Sequence, residues 1–260
     1  MVYELYAIKY GQRDGRKPEF FQGGDPHDAP MALDYFVWAA VSPEHPERTV
    51  VIDLGFTAAT GTRRGRVVRR TPAEGLALLG IDAATVQHVI ITHCHFDHVG
   101  NIAEFPQATF VIQDEEMAFW TGRYAGKPLF RQIVEPEDVV ALVRHNFDGR
   151  VRFVADSQEI IPGIAVHRVG GHAAGLQIVT VETARGTVIV ASDAAHFYAN
   201  IEEDRPFSIV NSLPQMYEAF DVIRRLAPSP DHIIPGHDPL VMERYPAARH
   251  DLAGIVARLG

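Results

Sequence analysis

A run of side chains that can bind metal follows a short apolar segment, and this feature constrains the fold more than any other. The segment Val86–Thr92 is rich in β-branched residues, which is typical of a buried strand. The metal-competent residues that come directly after it are His93, His95, Asp97 and His98. At an extended strand end, His93 and His95 point to the same face, and Cys94 points to the opposite face. The spacing predicts two ligand sets aimed at neighbouring points, with Cys94 in the packing.

Three more candidates stand beside predicted strands. His172 lies just before Leu176–Glu182, and Asp193 lies just after Thr187–Ala191. A short turn joins these two segments, so we predict a hairpin that returns both side chains to the same end of the sheet. His237 follows the last predicted strand. So many imidazoles and carboxylates at strand ends have little structural use together, and they indicate a metal site.

The remaining patterns predict a layered α/β fold in a single domain covering residues 1–260. The predicted strands are Tyr3–Tyr10, Leu33–Ser42, Thr49–Leu54, Val86–Thr92, Ala108–Gln113, Val151–Ala155, Gly163–Val169, Leu176–Glu182, Thr187–Ala191 and His232–Pro235. The predicted helices are Pro72–Leu79, Pro136–Phe147 and Pro214–Leu226, the first with Thr71 as its cap. The segment Gly11–Pro30 is rich in Gly, Asp and Pro, and we expect it to be a long loop.

Charge and composition exclude several classes of protein. The formal net charge is −9, from 24 Lys and Arg against 33 Asp and Glu, so tight binding to nucleic acid is not expected. A single cysteine fits a reducing compartment, and Glu4 and Lys9 interrupt the N-terminal apolar stretch, which argues against a signal peptide. No apolar run is long enough for a membrane span. We therefore expect a cytoplasmic protein that acts on a small molecule.

The segment HCHFDH, followed by His172, Asp193 and His237, resembles the ligand signature of the metallo-β-lactamase superfamily. The early Asp-x-Gly loop at Asp53 is also similar. The resemblance implies an αββα sandwich with a dinuclear metal centre. It implies that one ion is held by His93, His95 and His172, the other by Asp97, His98 and His237, and that Asp193 bridges both. Such ligands suit zinc, although manganese, cobalt or iron can occupy similar sites.

The sequence leaves two possible roles for Asp53. It either accepts a hydrogen bond from a ligand histidine or caps its own loop.

Within the superfamily, the chain is most similar to the N-acyl homoserine lactonase and 4-pyridoxolactonase group. The similarity rests on the length, the form HCHFDHVGN, and the spacings from His172 to Asp193 and on to His237. Members of that group open a lactone ring by attack of a metal-bridging hydroxide, so the resemblance implies this reaction, with Asp97 among the catalytic residues. The group usually has a tyrosine three residues after the bridging aspartate. Here His196 stands in that place, and either His196 or Tyr198 is expected to contact the substrate oxygen.

Other interpretations stay open. The substrate is an N-acyl homoserine lactone, or another small lactone, ester or thioester of the pyridoxolactonase or glyoxalase II type. Outside enzymes, the alternative is a metal-binding sensor without turnover.

Only a short segment follows His237, so we do not expect a C-terminal substrate domain. The arginines of residues 63–70 either are solvated or attract an anionic substrate. The aromatic residues of 119–130 either cover an acyl chain or form core and homodimer contacts, and Phe20 and Phe21 are candidates to line the same pocket.

Overall fold

Two β-sheets pack face to face in the computed structural model, which describes residues 1–260, and helices cover their outer faces. The strands are β1 Glu4–Arg16, β2 Pro30–Val41, β3 Val50–Ile52, β4 Val67–Val68, β5 His88–Ile90, β6 Thr109–Gln113, β7 Val151–Val154, β8 Ser157–Ile161, β9 Ile164–Arg168, β10 Gln177–Thr183, β11 Gly186–Ser192, β12 Ile233–Pro235 and β13 Val256–Arg258. The α-helices are α1 Lys17–Phe20, α2 Ala58–Arg63, α3 Pro72–Ala77, α4 Asp114–Trp120, α5 Pro128–Arg131, α6 Pro136–Phe147, α7 Tyr198–Glu202, α8 Leu213–Leu226 and α9 Val241–Arg244. Single turns of 3-10 helix span Pro46–Arg48, Ala83–Thr85, Ile102–Glu104, Pro230–His232 and His250–Leu252.

The first sheet has the order β13-β1-β2-β3-β5-β6-β7, with β4 paired to β1. Its strands β3, β5, β6 and β7 run parallel, and the others pair antiparallel. The second sheet has the order β12-β11-β10-β9-β8, and only β11 and β12 pair in parallel. These two mixed sheets confirm the α/β class and the αββα sandwich predicted from the sequence.

Three apolar clusters hold the four layers together. Side chains between the sheets include Trp38 of β2 and Val190 of β11, both fully buried. The outer face of the first sheet packs on α3, α4 and α6, and the outer face of the second sheet packs on α8 through residues such as Phe220. Burial of apolar surface contributes about 25 cal/mol per Å², so these contacts are the main stabilising term of the fold. No helix combines the length and apolar character needed to cross a membrane.

Most predicted elements are present within a few residues of their expected bounds. The hairpin of β10 and β11 is confirmed, with Thr183 opposite Gly186 at its turn. Helix α6 spans the predicted residues, and α3 begins with the expected Thr71 cap, whose hydroxyl accepts a hydrogen bond from the Glu74 amide at 3.1 Å. The strands β4, β8 and β13 were not predicted, because each is short or largely polar.

The expectation of a long loop over Gly11–Pro30 is wrong in part. Strand β1 continues to Arg16, and β2 begins at Pro30, so the two strands pair along this whole extension. A bulge between Lys9 and Gly11 shifts the register. The extension is half exposed and polar, and its composition therefore resembles that of a loop even though its backbone pairs as a ladder.

Candidate metal centre

The structure brings all seven predicted ligand residues together where β5, β11 and β12 end. The predicted ligands form two groups, within each of which the potential ligand atoms lie within 4.8 Å of one another. One comprises His93, His95, His172 and Asp193, and the other comprises Asp97, His98 and His237; a third such group, Asp193, His196 and His237, overlaps both. Every member is buried. The hairpin of β10 and β11 returns His172 and Asp193 to the same end, as predicted, and their side chains approach to 3.1 Å.

Asp193 lies between the two groups, and each of its carboxylate oxygens faces a different one. Its Oδ2 lies 3.1 Å from His172 Nε2 and 3.6 Å from His93 Nε2. Its Oδ1 lies 2.9 Å from His237 Nε2 and 3.4 Å from His98 Nε2. This division lets the carboxylate serve both groups at once, as a carboxylate shared between two metal positions can do.

Hydrogen bonds on the outer side of three rings fix which nitrogen faces the cluster. The Nδ1 contacts, each 2.8 Å long, are His98 with Asp53 Oδ2, His172 with the Ile209 carbonyl and His237 with the Asp34 carbonyl. A carbonyl oxygen can only accept, so His172 and His237 carry their proton on Nδ1. In the neutral form of each ring, Nε2 then carries the lone pair and faces the cluster, and this is the form of imidazole that binds metal.

Buried nitrogen atoms without partners show that this cluster fits a cation. His93 Nε2 and His98 Nε2 are buried and form no hydrogen bond. His95 Nδ1 and His172 Nε2 approach each other to 2.8 Å. Burial lowers the pKa of His93 and of His95 well below the usual value, which keeps both rings neutral. Because buried polar atoms are normally satisfied, and because neutral imidazoles with carboxylates bind divalent transition metals, the cluster is able to hold metal.

Asp53 holds His98 of the second group in position. Its carboxylate accepts hydrogen bonds from the Thr92 amide at 2.7 Å and the Thr92 hydroxyl at 2.8 Å, and it also contacts His98 Nδ1. The residue is fully buried and has a positive φ of 61°, a conformation that the surrounding contacts hold in place. The prediction that Asp53 accepts a hydrogen bond from a candidate ligand histidine is confirmed.

Glu116 connects the loop that carries His95 with the loop that carries His172, and it was not among the residues predicted from the sequence. Its fully buried carboxylate accepts hydrogen bonds from the Cys94 amide at 2.8 Å, the Gly175 amide at 2.8 Å and the Trp120 indole at 2.6 Å. Burial raises the pKa of Glu116, and these three donors oppose that shift. Trp120 stands four residues after Glu116 in α4, so helical spacing was the signal that could have placed this acid on the buried face.

Cys94 points away from the metal-competent side chains. Its thiol is fully buried in the apolar cluster between the first sheet and its helices, and burial raises its pKa well above the usual value. This confirms the prediction that Cys94 points to the opposite side from His93 and His95 and takes part in the packing.

His196 lies at the cluster, and Tyr198 does not. The ring of His196 stacks on Phe207 with centroids 3.4 Å apart, and its Nε2 lies 3.1 Å from Asp193 Oδ2. The Tyr198 ring instead lies under the Arg244 guanidinium, 3.7 Å away, in the core between the sheets. The expectation that Tyr198 could reach the substrate is corrected, because α7 begins at this residue and turns its side chain to the opposite side.

Two cavities open onto the cluster and share His95 and His172 as part of their walls. We call the first the apolar arm, and its distal walls are formed by Phe119, Trp120, Leu129 and Phe130. We call the second the cationic arm, and it is lined by Arg13, Tyr35 and Arg66 together with the cluster itself. Three of the aromatic residues of 119–130, namely Phe119, Trp120 and Phe130, thus line a cavity. Phe20 and Phe21 pack behind the cluster on Phe197, outside both arms.

Comparison with known proteins agrees with this geometry. The sequence profile of the metallo-beta-lactamase superfamily matches residues 34–237, which is well over half of the chain. The chain belongs to this superfamily. N-acyl homoserine lactonase AiiA of Bacillus thuringiensis subsp. kurstaki is 23% identical over 192 residues, covering 68% of this chain and 70% of the relative.

Solved structures of lactonases share the fold. An N-acyl homoserine lactone hydrolase with the product N-hexanoyl-L-homoserine bound at its catalytic metal centre superposes with a TM-score of 0.73 at 19% identity, covering 92% of this chain and 94% of the other. AidC, described as a dizinc quorum-quenching lactonase, gives a TM-score of 0.70 at 17% identity, covering 91% and 88%. At this level of identity, the likeness shows the αββα fold of this metallo-β-lactamase superfamily member.

Proposed function

We propose that this protein is a metal-dependent hydrolase that opens a lactone ring, with an N-acyl homoserine lactone as the first candidate substrate. The observation that carries the proposal is the buried cluster around Asp193, which is divided into two groups and opens into an apolar cavity. The superfamily and the lactonase relatives support a hydrolase of this kind.

The two groups define which residues would hold the ions. We assign His93, His95 and His172 to one divalent ion and Asp97, His98 and His237 to the other, with Asp193 shared between them. Zinc is the first candidate, and the dizinc description of AidC supports two ions. When bound, such ions supply Lewis acidity that polarises a carbonyl and makes hydroxide available near neutral pH.

The residues of the chain complete the site around these ions. Asp97 lines the cationic arm, and we propose that its carboxylate also accepts a proton from the attacking water and passes it to the leaving oxygen when the ring C–O bond breaks. His196 lines the same cavity, and the stack on Phe207 fixes its ring plane. We assign His196 the role of hydrogen-bond donor to the carbonyl or leaving oxygen.

One hydrolase domain is proposed for residues 1–260. Strand β1 near the start of the chain pairs with β13 near its end, with Ala7 opposite Ala257. Both ends of the chain are therefore tied to the first sheet, which supports a single unit.

Hydrolysis of several substrate classes by the zinc-loaded protein tests the proposal. Proton release should be followed for lactones, thioesters, β-lactams and phosphodiesters, and we expect the highest kcat/KM for lactones. Strong turnover of thioesters or phosphodiesters with negligible lactone turnover would contradict the lactonase function.

Replacing His196 with alanine is expected to lower kcat by on the order of 10²–10³, because a donor to the developing charge is lost. Metal content should stay near that of the parent protein. Tyr198→Phe serves as the control, since that ring lies away from the cluster, and it should leave kcat unchanged. Unchanged turnover in His196→Ala would remove His196 from the reaction.

The apolar arm is expected to make kcat/KM rise with acyl-chain length. Each buried methylene contributes about 0.8 kcal/mol, which corresponds to roughly a fourfold increase until the cavity is filled. Phe130→Ala should flatten this increase, because Phe130 forms part of the wall, whereas Phe147→Ala changes an exposed aromatic residue elsewhere and should not. Steady-state rates over a series of acyl homoserine lactones measure both slopes.

A further inference from the structure

The cationic arm contains two arginines, Arg13 of β1 and Arg66, which immediately precedes β4. Val67 of β4 pairs antiparallel with Gln12 of β1, and this register, continued by one residue, brings Arg66 opposite Arg13. Both side chains line the cavity that contains Asp193. Like charges side by side on adjacent strands repel each other, and an anion bound between them relieves this repulsion.

Arg66 lacks the protein partners that its neighbours have. Arg63 and Arg64 each pair with Glu135, at 2.8 Å and 2.7 Å. Arg66 forms no ion pair with a carboxylate. Its Nη1 donates a hydrogen bond to the Arg64 carbonyl at 2.9 Å, and its guanidinium also faces the phenol of Tyr35. Its Nε is buried and has no hydrogen-bond partner. An unpaired, buried guanidinium nitrogen in a chain of net charge −9 indicates that its partner is a ligand.

The surroundings of Arg66 hold it in place for such a ligand. Its guanidinium carbon lies 5.9 Å from the centre of the Phe96 ring. The buried Tyr35 lines the same arm, with its ring centre 5.3 Å from that of His237. Arg13 pairs only with the half-exposed Glu19. A planar guanidinium beside a phenol and a second arginine matches the forked geometry of a carboxylate.

We infer that Arg66, with Arg13 and Tyr35, binds a carboxylate group of the substrate, so that the preferred lactones carry a negative charge in addition to an apolar substituent. This inference rests on the proposed lactone hydrolysis and, within it, places lactones that carry a carboxylate ahead of the neutral N-acyl homoserine lactones. The ring would lie at the cluster, with its carboxylate in the cationic arm and its apolar substituent in the other arm. The carboxylates of Asp97 and Asp193 face the histidines and do not neutralise Arg66.

A matched pair of lactones tests the inference. One lactone is γ-butyrolactone with a carboxylate on its γ-carbon, and the other has a carboxamide at the same position. We expect zinc-loaded protein to open the ring of the carboxylate with a kcat/KM at least about 10-fold above that of the carboxamide. Arg66→Gln should bring this ratio close to 1, a loss of about 10-fold or more, as expected for the loss of a charged hydrogen bond. Arg66→Lys keeps the charge and should recover part of the ratio. Arg69→Gln removes an exposed arginine of the same segment and should leave the ratio unchanged.

Three results would overturn the inference. The first is a wild-type protein that shows no preference for the carboxylate. The second is a preference that persists in Arg66→Gln, which would mean that the metals bind the carboxylate. Alternatively, Arg66→Gln could lower both substrates equally at unchanged melting temperature and zinc content, which would give Arg66 a role unrelated to the carboxylate.

Binding of inert ligands separates this inference from the proposed function. Tetrahydrofuran carboxylate and its carboxamide have no scissile ring bond, and calorimetry on zinc-loaded protein measures their Kd values without turnover. Tighter binding of the carboxylate that is lost in Arg66→Gln supports the inference even if no lactone is hydrolysed, in which case only the proposed function fails. Equal Kd values for the two ligands contradict the inference even if lactones are hydrolysed.

Discussion

Replacing Asp193 with alanine is expected to abolish lactone hydrolysis and to lower the metal content of the purified protein. The two oxygens of this carboxylate face different groups of histidines, at 3.1 Å from His172 and 2.9 Å from His237, so its loss affects both metal positions at once. The fall in kcat/KM should exceed the 10- to 100-fold that loss of an outer hydrogen-bond partner typically causes. Elemental analysis and steady-state rates measure the two effects, and the parent protein should contain about two equivalents of metal.

Cys94→Ser is the matched control for Asp193→Ala. Cys94 stands between His93 and His95 in the chain, but its thiol is buried in the apolar packing on the other side. The control should retain its metal and most of its activity. Loss of metal in Cys94→Ser, or a parent protein that stays at one equivalent after reconstitution, would contradict the assignment of Asp193 to both ions.

Glu116→Ala is expected to lower the free energy of unfolding by about 2–5 kcal/mol and to weaken metal binding. The substitution leaves the Cys94 and Gly175 amides and the Trp120 indole without their acceptor in a dry interior, and each unsatisfied donor costs about 1–3 kcal/mol. The two amides belong to the loops that carry His95 and His172, so these rings should lose their fixed positions. Urea unfolding measures the stability, and zinc titration against a competing chelator measures the affinity.

Glu115→Ala is the control for this second prediction. Glu115 is the neighbouring acid of α4, but it is exposed and pairs with Arg168 at 2.7 Å on the surface, where an ion pair contributes about 0–1 kcal/mol. Its replacement should change neither zinc affinity nor activity. In Glu116→Gln one oxygen remains to accept from the loops, so we expect an intermediate zinc affinity. Equal effects of the alanine changes at 115 and 116 would show that Glu116 does not position the ligand loops.

Much of the fold could be predicted from local patterns in the sequence. The β-branched segments predicted most strands of both sheets, and the turn between β10 and β11 predicted that His172 and Asp193 return to one end. The polar extension of β1 and β2 escaped prediction, because its pairing depends on the partner strand and not on its own composition. Short strands such as β13 are defined by the same long-range pairing.

The chemistry available to the site follows from the local residues, because HCHFDH with His172, Asp193 and His237 places metal-binding side chains at strand ends. Which of their atoms meet depends on the packing of the whole fold. This packing divided the oxygens of Asp193 between two groups, turned Tyr198 into the core, buried Glu116 beneath both ligand loops and left Arg66 without a carboxylate. Contacts between residues far apart in the chain depend on the packing of whole layers, whereas ligand spacing at a strand end depends on the local backbone alone.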